Sequence, residues 1–267
     1  GLDEFSDIDM AIMCHTTSRP EDKKLAVGGT SNGHVTKYIQ YQGRAAHAGG
    51  APHQGINALN AAMIALSAIH AQREAYRDED TIRVHPIITR GGSAVSSVPS
   101  DVRMETFVRG KSIAAFTDAS AKVDRALRAG AMAVGGSVTI TTLPGYMPMN
   151  NDDNMMSVYR NNAAYVVGEE NVGKAGHRTG STDMGDVGHV MPTIHPYAGG
   201  AIGTGHGDDY LIRDWDNAVL NAAKAMALTV VDLLADGAVG ANEVKAKHQA
   251  RMSIKEYLAL QTGNLRE

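Results

Sequence analysis

Between residues 33 and 143 the chain alternates in a way that few folds satisfy. Segments 35–41, 81–89, 102–109 and 137–143 carry the alternation or β-branched content of strands. A helical stripe of Leu59, Met63, Leu66 and Ile69 within 56–73 separates the first two, and a stripe of Ile113, Phe116, Val123 and Leu127 separates the last two. The order βαββαβ implies a ferredoxin-like unit, in which two helices cover one face of a single sheet.

The flanks read differently. Residues 8–15 form a compact apolar run ending in His15, as a buried strand of a parallel sheet would, and ligands gather at the carboxyl ends of such strands. Cys14 would then point to the opposite face as a small buried hydrophobe. Beyond Pro144, residues 154–167 suit a helix with Met155, Val158, Tyr159, Ala163 and Val166 inward. Ser181 and Asp183 are helix-start residues that capping alone explains. His189 in a short helix and His195 in a strand over 193–197 read as satisfied structural histidines. A last helix from Asp214 would bury Val219, Ala223, Met226, Val230 and Leu233.

Three further residues invite chemistry. His47 sits where a strand gives way, through a turn-rich loop, to a helix, and loops on a rigid scaffold commonly carry sites. Arg109 ends a strand, and its guanidinium suits bidentate carboxylate recognition. His206 is flanked by Gly205 and Gly207, which allow close backbone approach. By position alone, His15 reads also as a surface or capped histidine after a strand, His47 as a histidine bonded to a loop carbonyl, and Arg109 as a solvated strand end.

Composition removes several classes. The 267 residues are 43% hydrophobic, enough to bury one large domain or two smaller ones. Lys and Arg number 25 against 29 for Asp and Glu, with no basic run, so nucleic acid is not an expected partner. The single cysteine forms no internal disulfide and fits a reducing compartment. No apolar run approaches the roughly 20 residues of a membrane span, and no signal-peptide pattern opens the chain; a cytoplasmic protein without a membrane partner is expected.

Two segments carry a family resemblance: GRAAHAGGAPHQGINALNAA (residues 43–62) and HRTGSTDMGDVGHVMPTIHPYAGG (residues 177–200). Both are similar to segments of the aminoacylase and carboxypeptidase G family of two-metal amidohydrolases, most closely its aminobenzoyl-glutamate hydrolase branch. The similarity runs from about Asp7 to about Asp236. It implies a two- or three-layer α/β catalytic domain, here over 1–32 and 144–236, with the ferredoxin-like unit at 33–143 inserted as a lid and dimerisation domain. Residues 237–267 would form a charged, partly helical tail.

The resemblance also implies roles. His15 and His206 would be metal ligands, Asp183 would support the metal site, and the pair of divalent ions would be zinc or manganese. Metal-bound hydroxide would attack the amide of an N-acyl amino acid or aminobenzoyl-glutamate-like substrate. His47, reaching the active site of the other subunit of a homodimer, would stabilise the oxyanion, and Arg109 would hold the substrate carboxylate. Ser96 stands where the family pattern has an asparagine. The remaining ligands and the paired glutamates that include the general base belong to an earlier segment of the family. Glu169 and Glu170, the adjacent glutamates here, read as a solvated helix end. The chain therefore looks like a C-terminal portion, expected to be inactive alone: a truncated product, a fragment, or one half of a split enzyme completed by a partner chain. The alternative is a non-catalytic member that dimerises or binds a small carboxylate.

Overall fold

The computed structural model describes residues 7–264; the outermost parts of the expected 1–32 and 237–267 segments lie outside the described residues. The chain forms two compact units. One holds residues up to Ser31, Met149–Arg178 and Thr182–Tyr257; the other holds Asn32–Pro148, Thr179–Ser181 and the residues from Leu258. In chain order the fold is α/β with the second unit's βαββαβ stretch inserted into the first.

The first unit opens with four short strands, β1 (Ala11–Ile12), β2 (His15–Thr16), β3 (Leu25–Val27) and β4 (Thr30–Ser31). The single strand expected over 8–15 is thus interrupted. Its amides do keep a parallel rhythm: Met13 N donates to Ile194 O at 3.1 Å and His15 N to Pro196 O at 3.1 Å. Pro196 has no amide hydrogen to return, so the ladder breaks there.

The inserted stretch follows as β5 (Gly33–Gln42), α1 (Ala58–Ala71), β6 (Arg83–Val84), β7 (Ile87–Arg90), β8 (Asp101–Gly110), α2 (Ile113–Val134) and β9 (Ser137–Pro144). The strand expected over 81–89 is split, because Pro86 falls between β6 and β7 and cannot donate to the ladder. β8 pairs with β6 and β7 on one side and β5 on the other, and β9 closes the far edge; every pairing is antiparallel. Val35, Ile39, Tyr41, Val102, Met104 and Val108 are buried on the sheet's inner face. Lys37 lies on that face too, fully buried, paired with Asp124 at 2.6 Å and donating to Thr142 Oγ1 at 2.9 Å.

The helices bury small residues where the sequence pattern pointed to large ones. In α1 the buried stripe is Ala58, Ala61, Ala62, Ala65 and Ile69, while Met63 is 57% exposed. The reason is the approach of α2: a Cβ at Gly130 would stand 2.3 Å from the Ala61 carbonyl oxygen, too close for any side chain. α2 keeps its expected Phe116, Val123 and Leu127 inside. Asn57 caps α1 through Leu59 N and Asn60 N, and Ser112 caps α2 through Ala115 N.

The first unit resumes with α3 (Asp153–Val167), β10 (Val172–Lys174), β11 (His177–Arg178), α4 (Met184–Val190), β12 (Thr193–Ile194), β13 (Tyr197–Ala198), β14 (Ala201–Ile202), β15 (Leu211–Ile212) and α5 (Ala222–Lys247); α6 (Ile254–Asn264) ends the described chain. β1 pairs in parallel with β12, and a four-stranded sheet runs β10, β3, β13, β2. Leu25, Met155, Tyr159, Ala163, Ile194 and Leu233 form the core, with Cys14 packed against it as expected. Burial pushes the Cys14 thiol up to about 11. Glu169 and Glu170 lie in a short helical turn, Glu169 paired with Arg160 at the surface.

The last helix departs from expectation in phase. A π turn over Asp216–Asn221 leads into α5, and the buried residues are Ala218, Ala222, Ala225, Thr229 and Leu233. The expected Val219 and Val230 face outward, because the smaller stripe beside them allows α5 to close on α3. Contrary to the expectation that no apolar run approaches a span, residues Asp216–Lys247 are long enough, and in an 18-residue stretch apolar enough at mean hydropathy 1.6, to meet the dimensions of one. Their backbone leaves helical values at Ala235, Asp236, Gly237 and Ala238, dividing the stretch into two shorter helices.

Candidate functional site

In the first unit the alternation of paired strands gathers one set of rings. β13 lies parallel to β2 with Tyr197 opposite His15, so His195 and Tyr197, two residues apart, share the face that presents His15. The His15 and His195 ring centres are 6.2 Å apart with planes inclined by 24°, and Tyr197 stands 5.0 Å from His195. His15 Nδ1 lies 2.7 Å from the carbonyl oxygen of Thr16; a carbonyl only accepts, so Nδ1 carries the proton and Nε2 offers a lone pair. That arrangement is how a metal-binding imidazole is usually fixed.

His195 corrects the sequence reading. It is 2% exposed, yet neither ring nitrogen has a hydrogen-bond partner, so it is not a satisfied structural histidine. Burial, above all, holds its pKa down at about 4. Its strand is pinned by Asn151, whose Oδ1 accepts from His195 N at 2.7 Å and whose Nδ2 donates to Gly29 O at 2.8 Å. Beneath, Arg178 stacks 3.6 Å over the Tyr197 ring and pairs with the buried Asp22, which also accepts from Thr17 Oγ1 at 2.6 Å. The register of parallel strands is the signal that could have placed His195 beside His15; strand pairing is not written in local sequence. His189, by contrast, is buried and satisfied, with Nδ1 2.8 Å from Gly185 O.

Asp183 is exposed and its charge acts on His195, but its side chain caps no helix; Thr182 Oγ1 accepts from Met184 N at 3.4 Å instead. Ser181 does not cap either, since its hydroxyl accepts from Arg109. His206 lies in the exposed Gly203–Gly207 turn with a left-handed backbone, φ 64°, a conformation that costs a non-glycine residue and recurs at functional sites. Tyr210, four residues on, meets Thr16 Oγ1 at 2.8 Å and so ties the end of this loop to β2. Among the described residues no group of three or more His, Cys, Asp or Glu side chains could hold a metal ion. The donor chemistry fits part of a metal centre, imidazoles in place, and not the whole of one.

In the second unit the ladder runs on past β5 and β8: Gly43 N donates to Ser100 O at 2.9 Å, Val98 N to Ala46 O at 3.0 Å and Ala48 N to Ser96 O at 2.8 Å. This pairs His47 with Ser97 and leaves Ser96 beside them, opposite Ala48. His47 Nδ1 accepts from Gly49 N at 3.1 Å and Gly50 N at 2.9 Å, so the ring proton belongs on Nε2, a fixed outward donor. A groove of about 750 Å³, lined by Ala48, Asn57, Gly91, Gly92, Ser97 and Pro99 among others, opens beside it.

Arg109 lies at the opposite end of β8. It donates to Ser181 Oγ at 2.6 Å and sits 4.9 Å from the Phe107 ring centre, half-buried, with its pKa lowered by that burial. Phe107 and Tyr146 sandwich the buried His34, whose pKa is driven down to about 4 by burial and by Arg109. From Asp101 to Arg109 is eight residue steps, about 27 Å of extended strand. The structure therefore places His47 and Ser96 at the same end of the ladder and separates both from Arg109.

Comparison with known proteins matches residues 26–133 to the peptidase dimerisation domain family, the M20 type. The chain is 29% identical over 242 residues to the Xaa-Arg dipeptidase of Mus musculus, covering 86% of this chain and 54% of that protein. It is 27% identical over 240 residues to the Homo sapiens Xaa-Arg dipeptidase, covering 86% and 53%. It thus spans about half the length of the curated relatives it matches. In fold it is similar to the crystal structure of an aminobenzoyl-glutamate utilization protein from Klebsiella pneumoniae, with TM-score 0.67, 19% identity, and 88% of this chain and 57% of that one covered. It is also similar to AtUAH in complex with glyoxylate, with TM-score 0.71, 16% identity, and 84% and 53% covered.

Proposed function

We propose that the chain, whose residues 26–133 match the M20-type peptidase dimerisation domain, works in hydrolysis of an amide bond adjoining a carboxylate, as part of a homodimer. N-acyl amino acids, aminobenzoyl-glutamate-like amides and dipeptides are the substrate classes its relatives suggest. The observation that carries this reading is the pair of amides on His47 Nδ1, which aim an Nε2–H donor outward at a fixed angle. Such a preorganised donor stabilises charge developing on a carbonyl oxygen. Arg109 holds the substrate carboxylate, and His15 and His206 hold divalent ions, zinc or manganese, with Asp183 behind them. When bound, such ions supply Lewis acidity and a nucleophile at neutral pH.

His47 and Arg109, at opposite ends of β8, are too far apart to grip one small substrate from the same copy. They can act together only if they come from two copies, which makes the dimer a requirement of the chemistry. Since the described residues hold no complete metal centre, the remaining ligands and the general base come from polypeptide beyond them, and this chain alone turns over little or no substrate. The test is complementation in the assembled enzyme, with the missing ligands supplied by a co-expressed relative's N-terminal portion. His47→Ala and Arg109→Ala each lower kcat/KM, the former by about 10²–10³ as for other oxyanion donors. An equal mixture of the two variants recovers roughly a quarter of wild-type activity through mixed dimers with one intact site. No recovery on mixing would sink the shared-site reading, and robust turnover by the isolated 267-residue chain would sink its incompleteness.

A further inference from the structure

A cavity in the dimerisation domain plays no part in that mechanism. It measures about 340 Å³, and every residue lining it falls between Ile69, near the end of α1, and His85, just past β6. Three guanidinium groups and one carboxylate share its wall: Arg73, Arg77, Arg83 and Asp78. Arg77 is occupied by Glu79 at 2.8 Å. Arg83 donates Nη1 to the Ile82 carbonyl at 2.9 Å, which leaves most of its fork open, and Arg73 has no hydrogen bond or ion pair among the described residues. In the β6–β8 ladder Arg83 also stands directly opposite Arg109, a like-charge pairing that destabilises a sheet. Arg109's partners, Ser181 and Phe107, carry no charge. This corner of the domain is therefore short of anions.

Between Asp78 and Arg83 the backbone is strained. Thr81 has a left-handed conformation, φ 47°, which is unfavourable for a β-branched residue. Asn32 holds it there, its Nδ2 donating to Thr81 O at 2.9 Å and its Oδ1 accepting from Thr81 Oγ1 at 2.7 Å. Strain fixed in this way recurs at ligand clamps. We propose that the cavity binds a small phosphate monoester, with its phosphate on Arg73 and Arg83 and its carbon skeleton against Tyr76, Ile82 and Val84. A phosphate carries about −1.5 to −2 charges at neutral pH and three acceptor oxygens, enough for two guanidinium forks, whereas a carboxylate would satisfy one. Asp78 accepts from an alcohol hydroxyl of the ligand and repels a second acidic group, so a single charged end fits better than a polyphosphate. The volume lies at the small end of ligand sites.

Every lining residue belongs to this chain, so the test needs neither metal nor turnover and is independent of the proposed hydrolysis. Glycerol phosphate is titrated into the ¹⁵N-labelled 267-residue chain while amide spectra are followed. Binding in the cavity gives saturable shifts concentrated in residues 69–85, and calorimetry gives one site per chain. Arg73→Ala and Arg83→Ala each weaken binding by about tenfold or more, the worth of a charge-assisted hydrogen bond. Arg128→Ala, at an exposed arginine of α2 outside the cavity, leaves it unchanged. Succinate, a dicarboxylate, binds more weakly than the ester. Shifts that do not saturate at millimolar ester, or that spread over the surface, overturn the site. So does an equal loss in Arg128→Ala, which would mark a diffuse charge effect; succinate binding as tightly as the ester overturns the choice of phosphate. The spectra use the unsubstituted chain, so their result stands even if a variant fails to fold.

Discussion

In the dimerisation domain, β5 is paired with β8 over ten residues, from Gly33 opposite Gly110 to Gln42 opposite Asp101, and with β9 along its other edge. In the other unit the strands are two or three residues long and the sheets are small. The first region buries a lysine with its carboxylate, Lys37 with Asp124. Both regions leave large apolar side chains in solvent, Val95 and Met132 in the first and Trp215, Val231 and Leu234 in the second. Extended ladders fix the first unit through continuous backbone pairing; the short strands of the second are held by single side chains, as Asn151 holds three segments.

This contrast can be broken most sharply at Asp124. Asp124→Ala strands the Lys37 ammonium in the sheet's core and should cost about 3–5 kcal/mol, read as an earlier urea transition of the dimerisation domain with the other unit's transition unmoved. Next comes acid. His34 has a folded-state pKa near 4 against about 6.5 unfolded, so the unfolded chain takes up the proton first. Stability is whole above pH 6.5, falls as pH drops toward 4 by roughly 3 kcal/mol, and changes no further below. His34→Phe should flatten that slope. Smaller again is Gly130→Val, whose side chain collides with α1; overpacking of this kind costs about 1–3 kcal/mol, seen as a lower melting temperature. Smallest is Val231→Ser on the exposed face of α5, within about 0.5 kcal/mol of wild type; a large loss there would show that this face is covered in solution.

The dimerisation domain was legible because its strands are long enough for alternation to speak, and the expected 102–109 and 137–143 segments grew by only a residue or so. Alternation could not report Lys37, whose burial depends on Asp124 arriving from α2. The alanine stripes of α1 and α5 escaped because periodicity weights large apolar residues, whereas close helix crossings select small ones. In the other unit, two-residue strands carry no period, and Pro196 interrupts the ladder that joins His15 to its neighbours. The satisfied-histidine reading failed at His195 and held at His189 because Gly185, four residues away, offers His189 its carbonyl, while no nearby residue offers His195 a partner.

The central place of β5 has a consequence in time. Val35 pairs with Val108 on one side and Pro144 on the other, and Gly33 pairs with Gly110. On a ribosome adding about 5–20 residues per second, roughly 100 further residues occupy on the order of 5–20 s. Through that interval the strand that will be most protected in the finished protein is the one most open to mispairing, and its fate rests with whatever shields nascent chain.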